Sequence, residues 1–247
     1  VLVNANYLDY SDPERVFLPL TGTYRLVVHA DQYSGGSTGA YRLGVLLGQE
    51  TLFPLALDVP VVLDSPAVGA GRIDSVVEQD VFNFLGEANQ SVYIDHLGID
   101  GNLEAYLEAP NGSRLYQYYF SNTDPGRILL PITGVYRLVV RPYPFSSDQF
   151  GSYSFVLRTV VDEPTMTLAI GDTVTDGVPV AAAGRISALG QQDRYQVTVP
   201  AGQSFFIADL GAQSFGLEMW VYGPDGGLQT IESFDRSEER RVGKECA

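Results

Sequence analysis

Cysteine and lysine are almost absent from this chain of 247 residues, since Cys246 and Lys244 are the single examples of each. Both lie in the last twelve residues, so the preceding 235 residues can form neither disulfide bonds nor thiolate metal sites. A run of about 18 apolar residues, which a membrane-spanning helix needs, is missing as well. The hydrophobic content of 45% indicates instead a globular chain with a packed core, in one or two domains.

Positive charge is scarce, because 15 basic residues face 30 acidic ones and the formal net charge is −15. This acidity argues against a nucleic-acid partner, whose phosphates it would repel, and fits an exported protein or one that collects cations. Residues 236–247, RSEERRVGKECA, differ in composition from all that precedes them. Their reverse translation resembles a sequencing adapter, so we interpret them as a library artefact, with a natural charged tail as the alternative.

Histidine is too rare to build a zinc centre, since only His29 and His96 are present, and the absence of cysteine before residue 236 also excludes a Cys-His nucleophile there. A zinc site needs three or four ligands, and we expect both histidines to be solvated at strand ends. Residues Gly35 to Gly39, GGSTG, match the G-x-S-x-G pattern of hydrolases. A nucleophile elbow requires a strand-to-helix turn, whereas this segment joins two predicted strands, so we predict a loop and no enzyme.

The chain repeats itself. LPLTGTYRLVV at Leu18 to Val28 returns as LPITGVYRLVV at Leu130 to Val140, 112 positions later. A second set of matches is displaced by 113, such as AGRIDSVVEQDVF at Ala70 to Phe82 over AGRISALGQQDRY at Ala183 to Tyr195. Internal periods of this size indicate an array of similar modules.

The repeats divide the chain into units. Residues 49–162 are predicted to be one complete module, and residues 1–48 the C-terminal remnant of a preceding one. Residues 163–235 are predicted to be an incomplete third module, which we expect to be less ordered than the complete one.

Hydrophobicity alternates with a period of two within each unit. Tyr136, Leu138 and Val140 share one face of a predicted strand, and turn signals such as DPG and PNG separate such strands. The pattern predicts an all-β chain of antiparallel β-sandwiches, with seven or eight strands per module. We interpret the LPxTGxYRLVV strand and the following GxYxL or GxYxF strand as the hairpin that closes each module.

The order of these motifs resembles the bacterial pre-peptidase C-terminal domain. The motifs that carry the resemblance are Gly71-Arg72-Ile73, Asp80 to Phe84, Asn89-Gln90-Ser91, Pro110-Asn111-Gly112 and Leu130 to Val140. The resemblance covers nearly all of residues 1–235 and implies a jelly-roll-like β-sandwich appended to secreted bacterial enzymes, often peptidases.

Some relatives in that family bind calcium through acidic residues near the first strand and the Asp of the D-x-Y/F strand. The candidate ligands here are Asp74, Glu78 and Asp80, with Asp58 or Asp64 upstream. A solvated acidic strand edge is the alternative. No other cofactor is expected.

Tyrosines cluster in RLYQYYF at residues 114–120. Alternation sends Tyr116 and Tyr118 to one face and Tyr119 to the other, so core packing accounts for part of the cluster. Exposed aromatic strips bind polysaccharides or extracellular proteins.

From these observations we predict a non-catalytic accessory or binding module, extracellular or at the cell surface, that is covalently linked to an extracellular peptidase or other hydrolase in the full-length protein. The alternative is a surface adhesive or spacer array.

Overall fold

A computed structural model describes residues 16, 18, 20–30, 38–120, 124–143, 150–203, 205–208, 210–211 and 216–234. These residues contain strands and no helix, as predicted. The strands are β1 Gln49–Pro54, β2 Pro60–Val61, β3 Arg72–Ile73, β4 Glu78–Gly86, β5 Ser91–Ile99, β6 Leu103–Glu108, β7 Arg114–Phe120, β8 Arg127–Leu129, β9 Gly134–Pro142, β10 Gly151–Val160, β11 Met166–Leu168, β12 Tyr195–Val197, β13 Leu217–Tyr222 and β14 Leu228–Phe234.

The first ten strands form a sandwich of two sheets. Sheet A has the order β1-β4-β9-β6-β7, and sheet B has the order β2-β10-β5-β8, with β3 paired to β10. The pairs within these sheets are antiparallel, except that β1 runs parallel to β4 at the edge of sheet A. The predicted all-β sandwich is therefore confirmed. The sandwich has ten strands and not the predicted seven or eight. The additional strands are β2 and β3, which are only two residues long and both pair with β10.

The core lies between the sheets and is rich in aromatic rings. Phe82 of β4 stacks on Phe53 at 5.2 Å between ring centroids and meets the edge of Phe155 at 5.3 Å. Tyr136 stacks on Phe84 at 5.4 Å and is fully buried. The inward residues follow the predicted alternation, because successive side chains of a strand point to opposite faces of its sheet.

The predicted closing hairpin is wrong. Strand β9 lies between β4 and β6 in sheet A, whereas β10 lies beside β5 in sheet B. The chain therefore crosses from one sheet to the other between these two strands. Consecutive strands with the same alternation can face one core from opposite sheets, and the sequence pattern does not distinguish this arrangement from a hairpin.

The expected remnant hairpin in residues 1–48 is also not observed, because the described residues before Gln49 lie in no strand. One local feature of the repeat is nevertheless kept. The hydroxyl of Tyr24 donates a hydrogen bond to the carbonyl of Leu20 at 2.6 Å, and that of Tyr136 donates to Ile132 at 2.5 Å.

Contacts divide the chain into two compact units, one of residues 1–166 with 173–195 and one of residues 167–172 with 196–247. In the first unit, the turn at residues 175–178 repeats the hydrogen bonds of residues 62–65, at an offset of 113. In the second unit, the hairpin β13–β14 repeats the register and the bulge of β6–β7 at an offset of 114. The predicted module boundaries stay a prediction.

Candidate functional site

Asp80, the acid of the D-x-F strand, is fully buried between the sheets. Its Oδ2 accepts a hydrogen bond from the hydroxyl of Tyr153 on β10, while its Oδ1 has no hydrogen-bond partner. Burial raises the pKa of Asp80 to about 7, the Tyr153 hydrogen bond opposes the rise, and the charges of Glu78 and Asp74 add to it. Among the described residues, the groups that act on the Asp80 carboxyl are the Tyr153 hydroxyl and two carboxylates, and none of them is a cation.

Asp74 and Glu78 lie outside this buried position. The carboxylate of Asp74 pairs with Arg72, with 2.7 Å between Arg72 Nε and Asp74 Oδ1, and both side chains are exposed. The Oε2 of Glu78 accepts a hydrogen bond from the backbone amide of Asp74 at 2.8 Å. In the next repeat the backbone amide of Ser187 donates the same hydrogen bond to Gln191 Oε1 at 2.9 Å, so this turn needs a side-chain oxygen and not a charge.

Of the three candidate calcium ligands, Asp80 is therefore buried in the core, whereas Asp74 and Glu78 lie outside that buried position. Among the described residues, no group of three or more acidic, histidine or cysteine side chains is placed to hold a metal ion. Asp58 and Asp64 accept hydrogen bonds from the amides of Thr159 and Gly69, both at 2.9 Å. Calcium takes six to eight oxygen ligands, and this arrangement does not supply them. Calcium binding stays a prediction from the resemblance.

The two histidines differ from each other. His29 is exposed, and its Nδ1 lies 2.9 Å from the carbonyl of Ala30. His96 is half-buried between the rings of Tyr118 and Phe120, and its Nε2 lies 2.9 Å from the Tyr118 hydroxyl. The prediction of a solvated histidine is therefore wrong for His96, because β5 places this ring against the core. Most of the GGSTG loop lies outside the described residues.

Alternation along β7 is as predicted. Tyr116 and Tyr118 pack against the core, and Tyr119 points to the other face with 42% of its surface exposed. The ring of Tyr119 meets Tyr143 edge-on at 5.0 Å, and its hydroxyl donates to the side chain of Asn102. An aromatic pair thus lies on the outer face of sheet A.

That outer face carries a second apolar cluster, which the sequence analysis missed. Val81, Val139 and Tyr106 lie side by side on β4, β9 and β6, and all three are buried although they face away from the core. The Arg114 guanidinium lies 4.0 Å from the centre of the Tyr106 ring, and that of Arg141 lies 5.4 Å away. Two arginine side chains therefore lie over the Tyr106 ring of this cluster.

These polar side chains form a connected network. Glu104 is buried and accepts hydrogen bonds from Arg141 Nε at 2.5 Å and from Gln117 Nε2 at 3.1 Å. Gln117 in turn accepts a hydrogen bond from Arg114 at 2.5 Å. We call Tyr106, Tyr119, Tyr143, Arg114 and Arg141 the outer-face platform. Arg114, Tyr119 and Tyr143 reach solvent, whereas Tyr106 and Arg141 are buried beneath them and support them.

The hairpin β13–β14 repeats part of this pattern. Trp220 takes the position of Tyr106 and Glu218 that of Glu104 in the matched register. The indole Nε1 of Trp220 donates to Glu218 Oε2 at 3.1 Å, and half of the tryptophan surface is exposed. An aromatic ring beside a carboxylate is therefore present in both copies of the hairpin.

No family model matches the sequence, and no curated protein matches it. Among solved structures, the chain is similar to the pre-peptidase C-terminal domain of a collagenase from Bacillus anthracis, with 14% identity and a TM-score of 0.31 over 47% of this chain and 100% of that one. It is also similar to PliG from Aeromonas hydrophila, a periplasmic inhibitor of g-type lysozyme, with 14% identity and a TM-score of 0.27 over 44% of this chain and 100% of that one. The first of these belongs to the family that the sequence motifs resemble. No helix in the described part of the chain is long and apolar enough to cross a membrane.

Proposed function

We propose that the chain is a non-catalytic binding module of a secreted bacterial protein, located outside the cell or at its surface. In the full-length protein it is covalently linked to an extracellular hydrolase, such as a peptidase, and holds that enzyme near its substrate. The observation that carries this proposal is the outer-face platform, where aromatic rings and guanidinium groups lie together on the outer face of sheet A.

The chemistry of the platform favours a polysaccharide. Tyrosine rings stack on sugar rings, while guanidinium and carboxylate groups form hydrogen bonds with hydroxyl groups. The net charge of −15 would repel polyanions, so the preferred ligand is neutral or cationic. Collagen and other extracellular proteins are the competing ligands.

Depletion of the full-length chain from solution by insoluble chitin or cellulose tests the proposal, with insoluble collagen in parallel. We expect binding to at least one polysaccharide, weakened about tenfold or more by Tyr119→Ala or Arg114→Ala, since loss of one good contact costs about 1.4 kcal/mol. Leu97→Ala is the matched control, because Leu97 is half exposed on β5 of the opposite sheet. Binding to none of the three materials, or equal loss of binding in all variants, would refute the platform. Binding to collagen alone would replace the polysaccharide ligand by a protein.

The second candidate function is a spacer or adhesive array in which the repeats themselves are the product. The observation in its favour is the recurrence of the same turn and hairpin at offsets of 113 and 114 residues. A long read of the source gene distinguishes the two: an upstream hydrolase supports the accessory module, and further repeats with an anchor support the array.

A further inference from the structure

Asp162 lies where the sequence places the end of the complete repeat, and its carboxylate contacts two arginines. Arg127 Nη2 and Arg194 Nη2 each lie 2.7 Å from Asp162 Oδ2, and the backbone amide of Gln192 donates to Oδ1 at 3.2 Å. Arg127 Nη1 also pairs with Oδ1. The Arg127 and Asp162 side chains are only 19% and 13% exposed, so this pair is shielded from solvent more than an ordinary surface ion pair, whereas 49% of the Arg194 side chain is exposed.

Close packing accompanies the ion pairs. Arg127 Nη1 donates a hydrogen bond to the carbonyl of Gly190 at 3.2 Å. A Cβ atom on Gly190 would lie 2.8 Å from Tyr93 Cδ2 and 3.0 Å from Val160 Cγ2, so the backbone at Gly190 rests directly on two strands of sheet B. Glycine is required here by space and by a φ of +76°.

The two sides of this contact come from different repeats. Tyr93, Arg127 and Val160 belong to the complete sandwich, whereas Gly190 and Arg194 belong to the repeat that follows Asp162. All of them lie in the same compact unit. The beginning of one repeat therefore contacts the end of the sandwich before it.

We propose that Arg127, Asp162, Gly190 and Arg194 form a joint that docks the beginning of the repeat after Asp162 onto the preceding sandwich. Asp162 is its centre, because this one carboxylate is shared by a cation from each repeat. The joint limits movement of the chain where it leaves the sandwich. It goes beyond the proposed function, since both a binding module and a spacer array could use it.

The positions that match this joint at the preceding boundary make a different contact. Glu50 takes the position of Asp162, 112 residues earlier, and it accepts a hydrogen bond from the side-chain Nε2 of Gln79 at 2.6 Å, whereas Gln192 donates through its backbone amide. Glu50 and Gln79 lie on the paired strands β1 and β4 of the same sandwich. In the sequence Arg15 aligns with Arg127, although Arg15 lies outside the described residues. Val77 and Val81 take the positions of Gly190 and Arg194, so the glycine and the second arginine of the joint are specific to the boundary at Asp162.

Hydrogen exchange measured by mass spectrometry on the full chain tests the joint. We expect Arg194→Ala to raise exchange in residues 186–194 about tenfold or more, because it removes the cation of the following repeat and leaves the Arg127–Asp162 pair intact. Exchange in β4 and β9 should stay unchanged. The matched control is Asp176→Ala, which breaks the exposed Arg185–Asp176 pair in the same repeat but outside residues 186–194.

A second pair of variants tests the joint without removing a charged side chain. Gly190→Ala and Gly177→Ala place a methyl group at positions of similar φ, +76° and +79°, but only Gly190 contacts the sandwich. The joint predicts faster exchange in residues 186–194 for Gly190→Ala alone. Unchanged exchange in Arg194→Ala and Gly190→Ala, or an equal rise in the two controls, would overturn the proposal.

Discussion

Asp80 and Tyr136 are polar side chains in the same buried core with different hydrogen-bonding environments. The Tyr136 hydroxyl donates a hydrogen bond to the carbonyl of Ile132, four residues earlier in the chain, so the buried tyrosine oxygen has a hydrogen-bond partner. Asp80 has the Tyr153 hydroxyl on one oxygen and nothing on the other. A buried carboxylate that lacks a cation is costly to ionise, so the sandwich should favour the neutral form of Asp80.

The first prediction follows from that preference. The pKa of Asp80 is raised from 3.8 to about 7, so its contribution to stability is fully present below about pH 4 and is lost as the pH rises through 7. We expect the wild-type sandwich to unfold at lower urea concentration at pH 8 than at pH 5. Asp80→Asn should reduce this difference, because an amide does not ionise.

The control for this prediction is Asp176→Asn, which removes an exposed carboxylate that is not among the charges acting on the pKa of Asp80. It should keep the pH dependence of the wild type. Equal pH dependence in Asp80→Asn and the wild type, measured by urea denaturation followed by fluorescence, would contradict the assignment.

A second prediction compares the two copies of the repeated tyrosine. Tyr136→Phe removes a hydrogen bond inside the core and should lower the free energy of unfolding by about 1 kcal/mol. Tyr24→Phe removes the same hydrogen bond from an exposed copy, where water replaces it, and should have no measurable effect. Chemical denaturation of both variants provides the measurement, and equal effects would show that burial does not matter here.

At the scale of strands, sheet A is held together on its outer face by charged side chains as well as by its backbone. Glu104 of β6 and Arg141 of β9 form a pair with 4% and 10% of their side chains exposed. Removing one member of a buried pair leaves the other charge without compensation, which typically costs about 3–5 kcal/mol.

We therefore expect Glu104→Ala to destabilise the sandwich by about 3 kcal/mol or more. Asp176→Ala, which breaks an exposed pair, should cause a much smaller loss. Thermal and urea unfolding of the two variants distinguish these outcomes. Similar small losses for both would mean that solvent screens the Glu104–Arg141 pair as well.

The strand pattern was predictable from the sequence, but the pairing of strands was not. Alternation at Tyr136, Leu138 and Val140 identified the inward face of β9, and the same holds for Tyr153 and Phe155 on β10. The sheet to which each strand belongs depends on long-range pairing, and β9 pairs with β4, more than fifty residues earlier. Period-two patterns contain no information about such partners.

The candidate site was less predictable than the fold. Acidic residues close together in sequence suggested a metal site, yet alternation along β4 turns Asp80 inward while Asp74 remains exposed. The outer-face platform combines residues of β6, β7 and β9, which only the sheet brings together. A usable signal did exist, because Tyr106 and Trp220 align in the repeat and each follows a glutamate by two residues.

At the scale of the whole molecule, the repeats provide an internal comparison between the same hairpin in two environments. Strand β6 lies between β7 and β9, so both of its edges are paired. Strand β13 pairs with β14 alone among the described residues, and Trp220, Tyr222 and Ile231 are about half exposed. A two-stranded hairpin without further packing is marginally stable in water.

The last prediction uses this comparison. We expect the backbone amides of β6 to exchange with deuterium roughly a hundredfold more slowly than those of β13, because opening β6 requires the sandwich to open whereas β13 opens locally. The two strands have the same register and bulge, so differences in hairpin geometry do not account for the result. Comparable protection would mean that residues outside the described part of the chain stabilise β13. In that case, the third repeat would be as complete a folding unit as the sandwich of residues 49–160.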